Sequence, residues 1–248
     1  MFDVYKDIFD KRGAAYHKAM LDYPLAREAE FRHILGLADI QEGDVVCDVP
    51  SGGGYLGGFI ERQVEIISID ASTEFIRHCQ QIHNMKKIQC DLSAITLPSS
   101  SVDKIISLAG LHHTKDLKPF YKEACRILNT NGLFCIADVV AGSGVADFLN
   151  GFVHEYSSMG HQGYFLSKKT RIDLEDSGFQ VTYESPVQYF WKFTGMEDMI
   201  RCCKLMFGID QANNEQILEG ISKYLGYQKI DASYCMNWSL LFIRTQKI

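Results

Sequence analysis

Five apolar runs rich in Val, Ile and Leu recur along the chain, and segments with helical periodicity separate them. The runs occupy residues 45–49, 65–69, 87–90, 104–108 and 133–140. Nearly continuous apolar strands that alternate with helices are typical of a parallel sheet with both faces covered. The pattern therefore predicts an α/β fold.

Two segments between these runs place apolar residues on one face of a helix. In 72–83, Ser72 is a candidate N-cap and Glu74 suits the positive end of the helix dipole. In 116–128, an apolar stripe precedes the stop signal Asn-Thr-Asn-Gly at 129–132. We expect both segments to be helices that cover the sheet.

The pattern changes after the fifth run. Residues 141–167 begin with Ala-Gly-Ser-Gly and are crowded with aromatic side chains and histidines, which favours a helix followed by a loop. Residues 167–178 then predict a short helix that ends at a glycine, and 179–193 predict a long strand. Residues 195–226 predict two amphipathic helices, and 233–245 predict a last strand.

Composition narrows the class of protein. The chain has 248 residues, of which 46% are hydrophobic, and no linker rich in Pro, Gly or Ser, which favours one domain. A net charge of −6 argues against nucleic acid as a partner.

The chain begins without a signal-peptide pattern and lacks an apolar stretch of membrane-spanning length, so we expect a cytoplasmic protein with no membrane span. Eight cysteines without a C-x-x-C pair are expected to be reduced core thiols.

The sharpest motif is a glycine cluster directly after the first run. Residues 52–57 satisfy G-x-G-x-x-G, and Asp70 follows 18 residues after Gly52, close to the ~20 of a dinucleotide fingerprint. Taken alone, this motif predicts an NAD(P)-dependent oxidoreductase. Asp48, however, would place its charge against a bound pyrophosphate, whereas a cationic cofactor without phosphates removes that objection.

With these motifs the sequence resembles the class I S-adenosylmethionine (SAM) dependent methyltransferases. The acid-x-x-x-G-x-G motif of that family is matched by Asp48, Gly52 and Gly54. Further similarity lies in Ser-Ile-Asp at 68–70, Gly-Leu-His-His at 110–113 and the segment 126–133, and the nearest branch is that of ubiquinone and menaquinone biosynthesis. Pro50 and Ser51 depart from the family motif, which usually has glycine and a small residue there.

The resemblance implies a Rossmann-like, seven-stranded, mostly parallel sheet whose last strand is antiparallel. It further implies a single domain over 1–248, with a cofactor-binding half at 41–140. The remaining parts would be a helical N-terminal cap at 1–40, a lid insertion at 141–167 and a helical insertion at 195–226. Packing on the sheet or a homodimer interface is an alternative role for those helices.

The resemblance also implies a set of cofactor-binding residues. Asp70 would accept hydrogen bonds from the ribose, and Asp91, with Leu92, would bind the adenine, although Asp91 could instead be a cap or turn residue. Gly52 and Gly54 would border the methionine portion. The full set is Asp48, Pro50, Gly52, Gly54, Asp70, Ala71, Asp91, Leu92, Leu108 and Ala109.

The expected reaction transfers a methyl group to an oxygen or carbon nucleophile of a small, largely apolar or aromatic molecule and leaves S-adenosylhomocysteine. Candidate bases are His112, His113, His154 and His161, each of which could also be structural. The spacing of His154, Glu155 and His161 matches no known ligand pattern, so we expect no metal site. A SAM-binding protein with a cyclase or regulatory role is the alternative.

Overall fold

In the computed structural model, which describes residues 3–79, 82 and 84–248, the apolar runs form strands of one mixed sheet. The strands are β1 Val45–Asp48, β2 Glu65–Asp70, β3 Met85–Gln89, β4 Val102–Leu108, β5 Leu128–Asp138, β6 Phe179–Phe193, β7 Tyr227–Ile230 and β8 Ser233–Lys247. Their order is β3-β2-β1-β4-β5-β8-β6, and β7 pairs with β8 outside this path. Strands β1 to β5 pair in parallel, whereas β8 runs antiparallel to β5 and β6. The predicted fold class, with its antiparallel last strand, is confirmed.

Helices cover both faces of this sheet because successive strand residues point to opposite sides. Val46 and Ile66 belong to one core cluster, and their neighbours Cys47 and Ile67 belong to the other. The α-helices are α1 Asp3–Asp22, α2 Glu28–Ala38, α3 Thr73–His78, α4 Lys118–Ile127, α5 Gly144–Asp147, α6 His154–Tyr156, α7 Lys168–Glu175, α8 Met196–Phe207 and α9 Asn214–Tyr224. A π-helical segment, Phe148–Val153, joins α5 to α6.

Several boundaries differ from the prediction. Strand β5 begins at Leu128, because the chain forms a bulge between the pairs Val102–Leu128 and Lys104–Leu133 rather than a separate turn. Strand β7 adds an eighth strand to the described sheet, and the glycine cluster leads into a 3-10 turn, Tyr55–Phe59, rather than a full helix. Helix α3 ends at His78, and residues 80, 81 and 83 of its predicted length lie outside the described residues.

Two expectations drawn from composition concern thiols and membranes. All eight cysteines are free, and six of them are buried, so the prediction of reduced core thiols is confirmed. Across the described ranges, no helix combines the length and the apolar character that a membrane crossing would need.

Helix α1 is fixed to the sheet through the start of α3. Asp10 Oδ1 accepts hydrogen bonds from the backbone N–H of Thr73 (2.8 Å) and from Ser72 Oγ (2.9 Å). Burial acts to raise the pKa of Asp10, but hydrogen bonds from Lys6, Ser72 and Thr73 outweigh it and lower that pKa. A side chain of α1 thus caps a second helix, which places α1 across the carboxyl edge of the sheet.

We expect Asp10→Ala to lower the free energy of unfolding by about 1 kcal/mol, because the Thr73 N–H and Ser72 Oγ lose their hydrogen-bond acceptor while Ser72 remains the N-cap of α3. Because folding lowers the pKa of Asp10, this contribution is present above the unfolded-state pKa and disappears as pH falls through the folded-state value. Urea unfolding at pH 7 and at pH 3 measures both effects. An equal loss at the two pH values would contradict a role for the charged carboxylate.

Candidate functional site

The candidate site lies where the strand order reverses, between β1 and β4. In open parallel sheets, ligands bind at the carboxyl ends of the strands at such a switch point. Two adjoining cavities occupy this edge, and both are lined by Phe9, Tyr16, Arg27 and Ala109. The cofactor cavity is lined in addition by Asp48, Pro50, Ser51, Gly52, Leu108 and Gly110, and the histidine cavity by His112, His113 and His161.

Two buried polar atoms in the cofactor cavity lack partners. Asp48 Oδ2, at the end of β1, and Ser51 Oγ form no hydrogen bond with any part of the chain that the structure describes. Burial raises the pKa of Asp48 well above its ordinary value, and the nearby Asp70 carboxylate raises it further. A buried carboxylate oxygen without a partner is costly, so this cavity suits a ligand that brings positive charge and donors.

The glycine turn, residues 52–54, adopts a backbone conformation that leaves space beside this cavity. Gly52, Gly53 and Gly54 have φ values of 56°, 106° and 72°, which favour glycine. A Cβ on Gly54 would lie 2.6 Å from Cys79 Sγ, whereas one on Gly52 would meet no described atom within 4 Å. Gly54 is therefore needed for packing, and Gly52 leaves space beside the cavity. Pro50 packs closely on the chain after β4, since a Cβ on Gly110 would lie 2.5 Å from Pro50 Cγ.

Asp70, at the end of β2, is fully buried and already accepts several hydrogen bonds. Its Oδ2 accepts from the Gly52 N–H (2.8 Å) and the Tyr5 hydroxyl (2.9 Å), and its Oδ1 accepts from the Ser72 N–H (2.8 Å). Burial raises the pKa of Asp70 to about 6, although these hydrogen bonds oppose the shift. The structure therefore connects Asp70 directly to the glycine turn.

Of the remaining residues predicted for the cofactor, Asp91, Leu92 and Ala71 do not line the cavity. Asp91 is exposed after β3, where its Oδ1 accepts hydrogen bonds from the Ser93 N–H and Oγ (both 2.8 Å), as in a turn. Leu92 and Ala71 are buried in the core. Leu108 and Ala109 do line this cavity, and Ala109 adopts a left-handed φ of 51°.

His112 is held by a buried carboxylate that the sequence did not single out. Asp138, at the end of β5, lies 2.6 Å through Oδ1 from His112 Nδ1 and also accepts from the Val139 N–H. Its Oδ2 accepts from the N–H groups of Leu111 and His112. Position at the end of a parallel strand was the one signal in the sequence that could have identified Asp138.

The loop after α6 brings His161 beside His112 and His113. Tyr164 N–H donates to the His112 carbonyl (2.6 Å), and His161 Nδ1 lies 2.9 Å from Asn150 Oδ1. Burial, followed by the charges of His112 and Arg12, lowers the pKa of His161 to about 2. Burial, followed by the charges of His112 and His161, also holds the pKa of His113 well below its ordinary value. Three of the four predicted bases therefore form one cluster.

His154, the fourth candidate base, stands apart from this cluster. Its side chain is exposed, and its Nδ1 lies 2.9 Å from the His161 carbonyl oxygen and 3.1 Å from the His161 backbone nitrogen, contacts that shape the loop. The geometry is that of a helix residue that supports the loop carrying His161. Glu155, on the same short helix, is also exposed.

The rest of the histidine cavity is largely aromatic. Trp191 and Trp238 stack with ring centroids 4.4 Å apart, and Phe207 stacks against Trp238 at 5.7 Å. A buried ion pair between Arg27 and Glu30 forms another wall, and Glu30 Oε2 accepts from the Trp191 indole N–H (2.9 Å). These walls come from α2, β6, α8 and β8, which are distant in sequence.

The family model and the two relatives described next are all methyltransferases by name. A family model described as a methyltransferase domain matches residues 47–136. An uncharacterized chloroplastic methyltransferase of Arabidopsis thaliana is 26% identical over 120 residues, which are 43% of this chain and 34% of that protein. A candidate methyltransferase of Dictyostelium discoideum is 24% identical over 71% of this chain and 68% of its own length. The chain thus spans only about a third of the Arabidopsis relative.

Solved structures extend the similarity in fold beyond the matched segment. A candidate methyltransferase of Bacillus halodurans has a TM-score of 0.65 at 15% identity, with 88% of this chain and 99% of the other covered. A geranyl diphosphate methyltransferase in complex with SAM has a TM-score of 0.60 at 10% identity, with 89% and 85% covered. Residues 47–136 therefore match the methyltransferase domain that the sequence motifs predict, and the chain shares its fold with solved structures described as methyltransferases.

Proposed function

We propose that this chain is a SAM-dependent methyltransferase that binds SAM in the cofactor cavity. The observation that carries the proposal is the buried Asp48 Oδ2, which lacks a partner within the described residues and lies beside the glycine turn. The cationic end of SAM would supply the charge that this carboxylate lacks. The family-model match over residues 47–136 supports the same cofactor.

In this proposal, each side chain at the carboxyl edge has a separate role. Asp48 and Ser51 would bind the methionine portion, and Asp70 would bind the ribose, beside the Gly52 N–H that it already accepts. Residues 1–40 would cap the cofactor, and 141–167 together with 195–226 would enclose the acceptor within the single domain. SAM supplies an activated methyl group, so the protein must align the acceptor and exclude water.

The histidine cavity is proposed to hold the acceptor, because it adjoins the cofactor cavity at Ala109. Its stacked Trp191 and Trp238 suit a small, largely apolar or aromatic molecule. The cluster of His112, His113 and His161 would lie against the oxygen or carbon that receives the methyl group. Removal of a proton from that atom, where it carries one, would be assisted at the cluster.

Calorimetry with SAM, S-adenosylhomocysteine and NAD tests the cofactor assignment, and mass spectrometry of any small molecule released on denaturation gives an independent answer. We expect SAM and its demethylated product to bind and NAD not to bind. Tight NAD binding without SAM binding would contradict the proposal. Incubation with a panel of phenols, enols and carboxylates then tests turnover. SAM that binds but is never demethylated would favour a cyclase or regulatory role.

We expect Asp70→Ala to weaken SAM binding by about 1 to 3 kcal/mol, because a charged hydrogen-bond acceptor for the ribose is lost. Calorimetry on the variant measures this change, and Asp91→Ala is the matched comparison at the end of β3. An unchanged affinity for Asp70→Ala would remove Asp70 from the cofactor site. A loss of SAM affinity in Asp91→Ala would support the predicted contact between Asp91 and the adenine, despite the exposed position of Asp91.

A further inference from the structure

Three buried imidazoles converge at one point of the histidine cavity. His112, His113 and His161 each offer a ring nitrogen, and these three atoms lie within 4.8 Å of one another. Among the residues searched, which are those the structure describes, this is the one group of three or more His, Cys, Asp or Glu with such geometry. Its members come from the turn after β4 and from the loop after α6.

The partner of His112 fixes which of its ring nitrogens is free. Both oxygens of Asp138 already accept backbone N–H groups, so the carboxylate acts as an acceptor toward His112 Nδ1. His112 Nδ1 therefore donates to Asp138, and Nε2 is the ring nitrogen that can offer a lone pair to a metal ion. Carboxylates hold metal-binding histidines in this tautomer in many proteins.

His161 is held in the same tautomer by a different group. Asn150 Oδ1 accepts the Gly163 N–H (2.7 Å), and Asn150 Nδ2 donates to the Gly163 carbonyl (3.0 Å), which fixes the orientation of the amide. The oxygen therefore faces His161 Nδ1, which must donate across 2.9 Å. His161 Nε2 is left with its lone pair, as His112 Nε2 is.

We propose that His112, His113 and His161 bind a first-row divalent transition metal ion, with Asp138 and Asn150 orienting two of the three ligands. Three atoms within 4.8 Å of one another leave a point at most about 2.8 Å from each. Inward movement of each ring by less than about 1 Å reaches the ~2.0–2.1 Å of zinc–nitrogen bonds. Imidazole ligands suit Zn²⁺ and its neighbours in the series rather than Mg²⁺ or Ca²⁺.

The charges around the cluster indicate what completes the coordination. Arg12 lines the same cavity and would stand near the ion, with the exposed Asp210 acting on its charge, whereas Arg27 forms a buried ion pair with Glu30. A divalent ion beside Arg12 is therefore stabilised by an anionic fourth ligand. Three histidines with one open position are also the ligand set of catalytic rather than structural zinc. The inference that the methyl acceptor is this fourth ligand rests on the proposed function, and it restricts the acceptor to molecules with an anionic oxygen.

Calorimetry with Zn²⁺, after removal of metal by a chelator and without SAM, tests the site directly. We expect one equivalent to bind, and the Co²⁺ protein to show the absorption bands of a tetrahedral ion. His161→Ala should weaken Zn²⁺ binding at least 100-fold. Asn150→Ala should weaken it about 10- to 100-fold, as loss of a group that orients a ligand usually does. Asn150→Asp keeps the acceptor and should restore most of the affinity.

His33→Ala is the matched control, since His33 is exposed and lies outside both cavities. Its affinity for Zn²⁺ should equal that of the unaltered chain. Circular dichroism and thermal unfolding of each metal-free variant show whether the variant is folded. SAM affinity is measured separately, so failure of the metal site and failure of the proposed function can be told apart. Failure to bind Zn²⁺, or equal binding by His161→Ala and His33→Ala, overturns the metal site. Zinc binding without SAM binding overturns only the proposed function and the role in methyl transfer.

Discussion

Replacing His112 with glutamine is expected to lower the rate of methyl transfer by about 100- to 10,000-fold, the usual loss when a group that assists proton transfer is removed. The glutamine side chain can still donate to Asp138, so the packing of the turn after β4 should persist. SAM affinity should be unchanged, because His112 lines the histidine cavity and not the cofactor cavity. Single-turnover rates at saturating SAM, together with calorimetry, separate the two quantities.

The matched control for this change is His33→Gln, which alters an exposed histidine outside the site. Its rate should equal that of the unaltered chain, and an equal rate for His112→Gln would exclude His112 from the reaction. Chelator treatment of the unaltered protein distinguishes a role of His112 as a metal ligand from a role as a base. A similar loss of rate on chelation would assign the effect to a bound metal, whereas an unchanged rate would assign it to direct proton transfer by the imidazole.

Replacing Asp48 with asparagine is expected to have opposite effects on cofactor affinity and on stability. Truncating one partner of a buried charge pair costs about 2 to 5 kcal/mol, so SAM affinity should fall roughly 30-fold or more. The protein without cofactor should become more stable, since the variant no longer buries a carboxylate oxygen that lacks a partner in the described structure. Function and stability would thus be opposed at one residue.

The dependence on pH follows from the raised pKa of Asp48. A carboxyl whose pKa is higher in the folded state stabilises the protein below its unfolded-state pKa of ~3.9 and loses that contribution as pH rises through the folded-state value. SAM affinity should change in the other direction and increase as Asp48 ionises. Thermal unfolding and calorimetry from pH 5 to pH 9 test both trends, with the exposed Asp7→Asn as control. Parallel curves for Asp48→Asn and the unaltered chain would contradict this assignment.

Most of the parallel sheet could be predicted from sequence because its strands are buried on both faces and appear as continuous apolar runs. The short strand β7 has mostly exposed residues and no such signal. The N-terminal region was expected only to form a helical cap, and the turn at residues 23–27, which separates α1 from α2, has no such signal either. Local pattern therefore located buried elements well and exposed or irregular ones poorly.

The residues of the candidate site also differ in how far they could be predicted from the sequence. Asp48 and the glycine turn lie within one short motif, so their proximity is dictated by the local chain. Asp138 and Asn150 act through contacts with residues 26 and 11 positions away, and no spacing rule indicates such pairs. The expectation that the chain has no metal site rested on the spacing of His154, Glu155 and His161, whereas the cluster forms only when the loop after α6 folds over the turn after β4.

The hydrogen bond from Tyr5 to Asp70 has a consequence for how a nucleoside could enter. Tyr5 stands in the first turn of α1, and its hydroxyl occupies a lone pair on the carboxylate proposed to hold the ribose. A ribose hydroxyl that binds Asp70 Oδ2 displaces the Tyr5 hydroxyl. The Tyr5–Asp70 hydrogen bond and the cofactor therefore compete for one acceptor. The measured dissociation constant then equals the intrinsic one divided by the fraction of molecules in which Tyr5 has moved away. Affinity for the cofactor is thereby set in part at the amino-terminal end of the chain.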